Sequence, residues 1–159
     1  SIIKFIKKYN NLFILRSLTK SFALAGLRIG YGIGSKQMIS VLNKIKIPWN
    51  VSGLAQQAAS AALLHSFYLT KVKKMIKKES FYLINYISKL KNFQCNATST
   101  NFILIKTKMK SQTLQKKLLE KKILIRDCST IRGLNNNYIR IAVKTRKENE
   151  KLIKALEKL

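Results

Sequence analysis

Residues 16–28 combine groups that could bind a phosphate and supply a reactive amine. Lys20 lies in a polar loop after a short apolar run, and Arg28 follows eight residues later. A lysine amine acts as a nucleophile only where its surroundings favour the neutral form, and a buried loop beside Arg28 is one such environment. The Arg28 fork and the hydroxyls of Ser17 and Thr19 could hold a phosphate dianion. Most loop lysines are solvated, so the spacing alone leaves both interpretations open.

Two predicted strands would position these groups. The apolar run Leu12–Leu15 predicts a strand that is buried on both faces. A second strand is predicted over Leu27–Ile33, which places Arg28 on it. Three glycines in or just after this strand indicate that something approaches its backbone closely: Gly30, Gly32 and Gly34.

The rest of the chain alternates predicted helices and strands, as in an α/β fold. A strand over 138–143 has its odd-numbered apolar residues on one face. Thr145 is the predicted N-cap of the last helix, because Glu148 would complete a capping box. The other predicted elements are helices over 1–9, 35–44 and, with a break, 52–90, then a strand over 101–106, a helix over 111–121 and a strand over 123–126.

The composition is strongly basic, with 32 Lys and Arg against 6 Asp and Glu and a net charge of +26. Such a charge is typical of nucleic-acid binding, but the lysines are dispersed along helix faces without a basic-aromatic motif. A basic nucleic-acid-binding module is therefore the less favoured class. No apolar run reaches the roughly 18 residues that cross a bilayer. Cys95 and Cys128 lack metal-ligand spacing. We predict no membrane segment, no metal site and a cytoplasmic location.

The run Arg16–Tyr31 resembles the lysine signature of the pyridoxal-phosphate (PLP) enzymes of fold type I, the aspartate aminotransferase superfamily. That signature reads Ser-x-Ser/Thr-Lys and then Ala-Gly-Leu-Arg-x-Gly-Tyr, and residues 17–20 and 25–31 match every position. The resemblance is to the branch shared by histidinol-phosphate aminotransferases and threonine-phosphate decarboxylases. It implies an α/β fold that is the C-terminal part of such an enzyme.

The same resemblance implies three regions and a set of site residues. The regions are the end of a mostly parallel large-domain sheet, linking helices and a small α/β domain, over 1–50, 51–92 and 93–159. PLP would be the cofactor, with Lys20 bound to it covalently and Ser17 and Arg28 holding its phosphate. The substrate residues would be Arg140, placed where the family keeps an arginine for the substrate's acidic group, Asn50 in the block 48–52, and Arg126. We hypothesise that Arg126, and with it Arg132, favours a substrate phosphate.

Within this branch, the sequence places decarboxylation of L-threonine O-3-phosphate to aminopropanol phosphate, a cobalamin-pathway step, ahead of transamination. Trp49 and the run Ile125–Ser129 resemble the decarboxylases. The alternative is a histidinol-phosphate aminotransferase or a related class I/II aminotransferase. Either way the resemblance implies a small phosphorylated amino acid as substrate and a homodimer. The family's upstream cofactor-binding parts are not recognisable here, so we expect a truncated chain that is a poor catalyst by itself.

Overall fold

The computed structural model describes residues 2–159, which divide into two compact units. The first unit ends at Thr70, and the second is Lys71–Leu159. Each unit contains its own β-sheet. The finer division into three regions, over 1–50, 51–92 and 93–159, stays a prediction.

The first unit is built on a two-stranded antiparallel ribbon. Strand β1 (Ile14–Ser17) pairs with strand β2 (Gly30–Ile33), with Ile14 opposite Ile33 and Ser17 opposite Gly30. Its helical segments are two short 3-10 turns and two α-helices: Ile2–Phe5, Ala25–Leu27, α1 (Lys36–Ile45) and α2 (Gly53–Leu64).

Both strand predictions in this unit need correction. The first strand lies two residues later than the apolar run Leu12–Leu15, and it is not buried on both faces, because Leu15 is 78% exposed. The second strand begins at Gly30, because residues Ala25–Leu27 form a 3-10 turn and Arg28 adopts a left-handed conformation, with φ of 50°. Arg28 therefore lies in the loop between the strands. The predicted parallel part of the sheet is not among residues 2–159, where every strand pair is antiparallel.

The predictions of α1 and α2 hold, because serine caps fix where these two helices begin. The hydroxyl of Ser35 accepts a hydrogen bond from the Met38 N–H at 3.3 Å, and Ser52 does the same for Ala55 at 3.2 Å. The predicted break in the long helical stretch is a turn after α2, at residues 65–66. Helix α3 (Phe67–Ile87) follows it. The predicted helix over 1–9 is shorter, a 3-10 turn over Ile2–Phe5, and Ser1 lies outside the described residues.

The second unit contains a four-stranded antiparallel sheet in the order β3-β4-β6-β5. Its elements after α3 are β3 (Phe93–Cys95), β4 (Phe102–Thr107), α4 (Ser111–Glu120), β5 (Arg126–Asp127), β6 (Tyr138–Ala142) and α5 (Arg146–Leu156). The predicted strand over 123–126 is wrong in position, since only its last residue joins the ladder. Strand β3 was not predicted, because three residues are too few to show a period.

One face of this sheet is covered by the helices and forms the main core. Ile139 and Ile141 of β6 and Ile103 and Ile105 of β4 are buried on it, as the alternation of apolar residues predicts. They pack in one cluster with helix residues that include Leu83 of α3, Leu114 and Leu118 of α4 and Leu152 of α5. The predicted capping box of α5 is present, with Glu148 accepting hydrogen bonds from the Thr145 N–H and hydroxyl at 3.3 and 2.7 Å. The Glu148 contacts, led by Lys144, lower the pKa of its carboxyl to about 2.

Between residues 2 and 159 no helix combines the length and the apolar character needed to cross a membrane. The same stretch contains no cluster of three or more His, Cys, Asp or Glu side chains placed to hold a metal ion.

Candidate active site

The loop between β1 and β2 brings the predicted cofactor residues to one end of the ribbon. The strand ladder ends at Ser17 and Gly30, and one more backbone hydrogen bond, from the Leu18 N–H to the Ile29 carbonyl at 3.1 Å, continues its register. Leu18 and Ile29 are buried against α2. Their burial fixes the base of the loop, so that Thr19 and Arg28 are the next residues on its two sides.

The hydroxyls of Ser17 and Thr19 lie together at this base. Their Oγ and Oγ1 atoms are 2.8 Å apart, and the Thr19 N–H donates to the Ser17 Oγ at 3.3 Å. The Ser21 hydroxyl donates to the Ser17 carbonyl at 3.5 Å. The bond between the two hydroxyls uses one of their two protons, so an anion can accept the other, and the Thr19 N–H becomes a further donor if it leaves Ser17.

Arg28 adds a positive charge to the same end of the ribbon. Its left-handed backbone lets the guanidinium turn back to donate to the Ala25 carbonyl at 3.0 Å. That bond uses one N–H, so other donors of the fork remain available. An open cleft of about 400 Å³ is lined by Arg28, Ser17 and Thr19 together with strand residues, namely Leu15, Arg16, Ile29, Gly30, Tyr31 and Gly32.

Lys20 departs from the expectation of a buried lysine. It is exposed in the turn that follows Thr19, and it is not one of the residues that line the cleft. The turn is held by the bond from the Phe22 N–H to the Leu18 carbonyl at 3.2 Å. The lysine thus follows directly after Thr19, in the exposed part of the loop.

The glycines of β2 are explained by close packing inside the ribbon. A Cβ atom on Gly30 would lie 2.5 Å from the Arg16 carbonyl oxygen, and one on Gly32 would lie 2.3 Å from the Phe13 ring. Gly34 faces the same ring, with its nearest atom at 2.9 Å. The predicted close approach is therefore made by β1 and by Phe13.

Gly30→Ala is expected to open the ribbon at the candidate cofactor loop. The added methyl group would overlap a backbone oxygen, so the strands must separate, at a cost of about 1–3 kcal/mol. Amide hydrogen exchange at Leu18, whose N–H bonds to Ile29, should accelerate. Gly26→Ala is the matched control, because no atom lies within 4 Å of its added Cβ. Equal exchange rates in the two variants would contradict this explanation of Gly30.

The two predicted substrate arginines lie side by side in the second unit. Arg126 of β5 is directly opposite Arg140 of β6 in the antiparallel register, and both are exposed. Directly opposed residues have Cβ atoms about 4.5–5.5 Å apart and share one face of the sheet, where like charges repel. The Arg140 guanidinium also lies 4.8 Å from the centroid of the Phe102 ring. Neither arginine forms an ion pair within residues 2–159.

Asp127 is a site neighbour that the sequence analysis missed. Its carboxylate accepts hydrogen bonds from the hydroxyl of Ser111 at 2.6 Å and from the N–H and hydroxyl of Ser129 at 2.9 and 2.7 Å. The Ser111 bond first, and then those of Ser129, lower the pKa of the Asp127 carboxyl. The sequence did offer a signal for this residue, because a carboxylate next to Arg126 in a strand falls on the face that is turned toward the core.

The other predicted substrate residues are not drawn into either cluster. Asn50 is exposed in the bend after the turn at Pro48 and Trp49, where Trp49 has a φ of 63° and is 97% exposed. Arg132 is exposed in the turn between β5 and β6. The first unit contains the predicted cofactor residues and Asn50. The second unit contains the three predicted substrate arginines: Arg126, Arg132 and Arg140.

Known proteins resemble this chain over its whole length. Histidinol-phosphate aminotransferase 2 of Archaeoglobus fulgidus is 36% identical over 159 residues, which is 100% of this chain and 46% of that protein. The solved histidinol-phosphate aminotransferase of Clostridium acetobutylicum is 33% identical with a TM-score of 0.90, over 99% of this chain and 48% of that one. The solved L-threonine-O-3-phosphate decarboxylase of Porphyromonas gingivalis is 32% identical with a TM-score of 0.87, and the match covers 96% of this chain and 48% of that one.

These matches give both the fold and the family. The chain spans about half the length of the curated relatives that it matches. The structure corresponds to the C-terminal part of the fold-type I PLP enzymes, as the signature around Lys20 predicts. The family model described as aminotransferase class I and II matches residues 1–156. The chain therefore belongs to the class I and II aminotransferase family.

Proposed function

We propose that the loop between β1 and β2 binds PLP, with Lys20 as its covalent attachment point and Ser17 and Arg28 as ligands of its phosphate. PLP is the cofactor of this family. When bound, it withdraws electrons from the α-carbon of an amino acid, which weakens the bonds at that carbon. In this proposal the chain's own residues hold the cofactor and supply the amine that moves protons.

The residues of the loop fit the phosphate of such a cofactor. The cleft is lined by Arg16 and Arg28 and by the Ser17 and Thr19 hydroxyls, whose oxygen atoms are 2.8 Å apart. A phosphate dianion is bound well by a cation together with several neutral donors. Lys20, next to Thr19, lies outside this lining, which leaves its amine for the reactive end of the cofactor.

We assign the substrate's anionic groups to Arg126 and Arg140. Two guanidiniums opposed on one sheet face are unfavourable without an anion between or above them. Threonine phosphate carries two such anions, a carboxylate and a phosphate. In the transamination, glutamate carries the carboxylates and the imidazole keto-phosphate carries the phosphate. Arg140 and Arg126 are therefore proposed to bind them, with Arg126 preferring the phosphate, and Arg132 and Asn50 as further substrate contacts.

The reaction that the relatives favour is transamination. Among the named relatives, histidinol-phosphate aminotransferase recurs in several archaea and clostridia, which supports the alternative over the decarboxylation that the sequence cues placed first. We therefore propose glutamate-dependent amination of an imidazole keto-phosphate. Decarboxylation of threonine phosphate is the second candidate, supported by the Porphyromonas gingivalis structure. A role in cobalamin synthesis stays a prediction.

We further propose that catalysis needs the portion of the relatives that this chain does not span. The first unit buries few apolar residues, with a core of Leu18, Ile29, Ala55 and Ala59. A two-stranded ribbon with so small a core is marginal by itself. A homodimer is the expected assembly, and a cytoplasmic location is the expected setting.

The test is an assay of the completed enzyme, meaning this chain preceded by the N-terminal portion of the Archaeoglobus fulgidus relative. With PLP supplied, we expect glutamate-dependent conversion of the imidazole keto-phosphate. Carbon dioxide release from threonine phosphate, without that conversion, would establish the second candidate instead. An Arg126→Ala variant that kept full affinity for the phosphorylated substrate would reject the role given to Arg126.

A further inference from the structure

We propose that Asp127 is a positioning residue that holds Arg126 opposite Arg140, so that the two guanidiniums can bind the substrate's anionic groups. This inference rests on the proposed function, because it takes the arginine pair to be the substrate's anion site. Asp127 itself would not touch the substrate. It would act through the backbone of β5, which carries both residues.

Asp127 and Arg126 face opposite sides of the sheet. Asp127 is opposite Ile139, which is fully buried in the core under the helices, whereas Arg126 is opposite the exposed Arg140. Neighbouring residues in a strand point to opposite faces. The carboxylate therefore points toward α4, away from the guanidinium beside it in sequence.

The hydrogen bonds of Asp127 keep its charge from pairing with the arginines. Its Oδ1 atom accepts from the Ser111 hydroxyl and the Ser129 N–H, and its Oδ2 atom accepts from the Ser129 hydroxyl. Ser111 begins α4 and is fully buried, so it is a fixed donor. With these neutral partners satisfied, the carboxylate does not compete with a ligand for the guanidinium of Arg126.

Strand β5 needs such anchoring because it has few bonds of its own. It has only two residues in the ladder and pairs with β6 alone, at the edge of the sheet. Side-chain bonds tie this segment to α4, among them the one from Ser111 to Asp127 and one from the Gln115 amide to the Ile125 carbonyl at 2.8 Å. Without the Asp127 anchor, the position of Arg126 would depend on the Gln115 bond, the two ladder residues and the backbone bond from the Cys128 N–H to the Tyr138 carbonyl at 3.1 Å.

Positioning and simple electrostatics predict opposite signs for the loss of this carboxylate. Removing a negative charge near two arginines should tighten the binding of an anion if only Coulomb forces act. If Asp127 positions Arg126, Asp127→Ala should weaken binding instead. Asp127→Asn should restore it, because the amide oxygen can accept from Ser111 and the Ser129 N–H, while the amide nitrogen donates to the Ser129 hydroxyl.

The experiment is a titration of the full chain with inorganic phosphate at fixed pH and ionic strength, followed by the Nε–Hε NMR signals of the arginine side chains. Signals are assigned with Arg126→Lys and Arg140→Lys. We expect Arg126 and Arg140 to shift together, with Arg146 as an internal control because Glu79 already holds it. Asp127→Ala should weaken the phosphate affinity about tenfold, the scale of one charge-assisted contact, and Asp127→Asn should stay within about twofold of the wild type.

Each other outcome overturns a definite part of the account. Unchanged or tighter binding in Asp127→Ala, or equal weakening in Asp127→Asn, would reject the positioning role while leaving the anion site intact. Failure of both arginine signals to move in the wild type would reject the proposed substrate site itself. The amide signals of Ile139 and Ile105 report whether the sheet stays folded. If Asp127→Ala unfolds it, Ser111→Ala removes a single donor and should give a smaller loss of the same sign, and no loss would reject the inference.

Discussion

Lys20→Ala is expected to abolish turnover in the completed enzyme, by at least about a thousandfold. The variant retains Ser17 and Arg28, so it should still bind PLP through the phosphate, but no longer covalently. The measurement is the rate of glutamate-dependent conversion, together with the PLP that survives dialysis. Loss of rate with little loss of fold would separate the role of the amine from a role in structure.

The matched control for this prediction is Lys44→Ala. Lys44 is an exposed lysine near the end of α1 in the same unit, and it is not part of the loop between β1 and β2. Both substitutions remove one positive charge from a strongly basic chain. If Lys44→Ala lowered the rate as much as Lys20→Ala, the effect would be a general one of charge, and the assignment of Lys20 would fail.

The largest effect on stability is expected from Glu79, the buried carboxylate of the second unit. Glu79 of α3 accepts hydrogen bonds from Nη2 of the Arg146 guanidinium at 3.0 Å and from the Asn149 amide at 3.0 Å. The same guanidinium lies 3.5 Å from the centroid of the Tyr82 ring. These contacts join α3 to the beginning of α5. The Arg146 bond is the main cause that lowers the pKa of the Glu79 carboxyl, against the opposing effect of burial.

Glu79→Ala should destabilise the second unit by about 2–3 kcal/mol, since it leaves Arg146 and Asn149 without their shared acceptor. The Arg146 side chain is 41% exposed, so water compensates part of the loss, and the value is below that of a fully buried pair. The thermal midpoint of this unit should fall by at least about 8 °C. Glu157→Ala, which removes an exposed carboxylate of α5's C-cap, is the control for net charge.

The pH dependence gives a second reading of the same contact. Because the folded pKa of Glu79 is lowered, its stabilising contribution is present above the unfolded pKa, about 4.3, and is lost as the pH falls through the folded value. The stability difference between the wild type and Glu79→Gln should therefore shrink in acid. A difference that stayed constant from neutral pH to below the folded pKa would show that the carboxylate charge contributes nothing.

The second unit was largely predictable because its elements follow local rules. The alternation in β6 placed Ile139 in the core and Arg140 outside, and both are found there. The Thr145–Glu148 capping box set the beginning of α5. Strand β5 lies later than its predicted range, because the apolar residues 123–125 do not join the ladder. The hydrogen bond between Asp127 and Ser111 was not predictable from local sequence, since the two residues are 16 positions apart.

The first unit was less predictable because nonlocal geometry decides it. The apolar run Leu12–Leu15 indicates a strand, but its register follows from pairing with the glycines of β2. Nothing in the residue type of Arg28 indicates a left-handed backbone, which non-glycine residues seldom adopt. The site residues Ser17, Lys20 and Arg28 came from the family signature, since their spacing alone fits a surface loop equally well.

The role of Lys20 is tested by mapping where PLP attaches in the completed enzyme. Borohydride reduction fixes the attached cofactor to its lysine, and proteolysis with mass spectrometry then identifies the modified residue. We predict one cofactor group per chain, carried by Lys20. Because lysine is abundant in this basic chain, selectivity is the informative result. A label spread over many lysines, or concentrated on any lysine other than Lys20, would contradict the account.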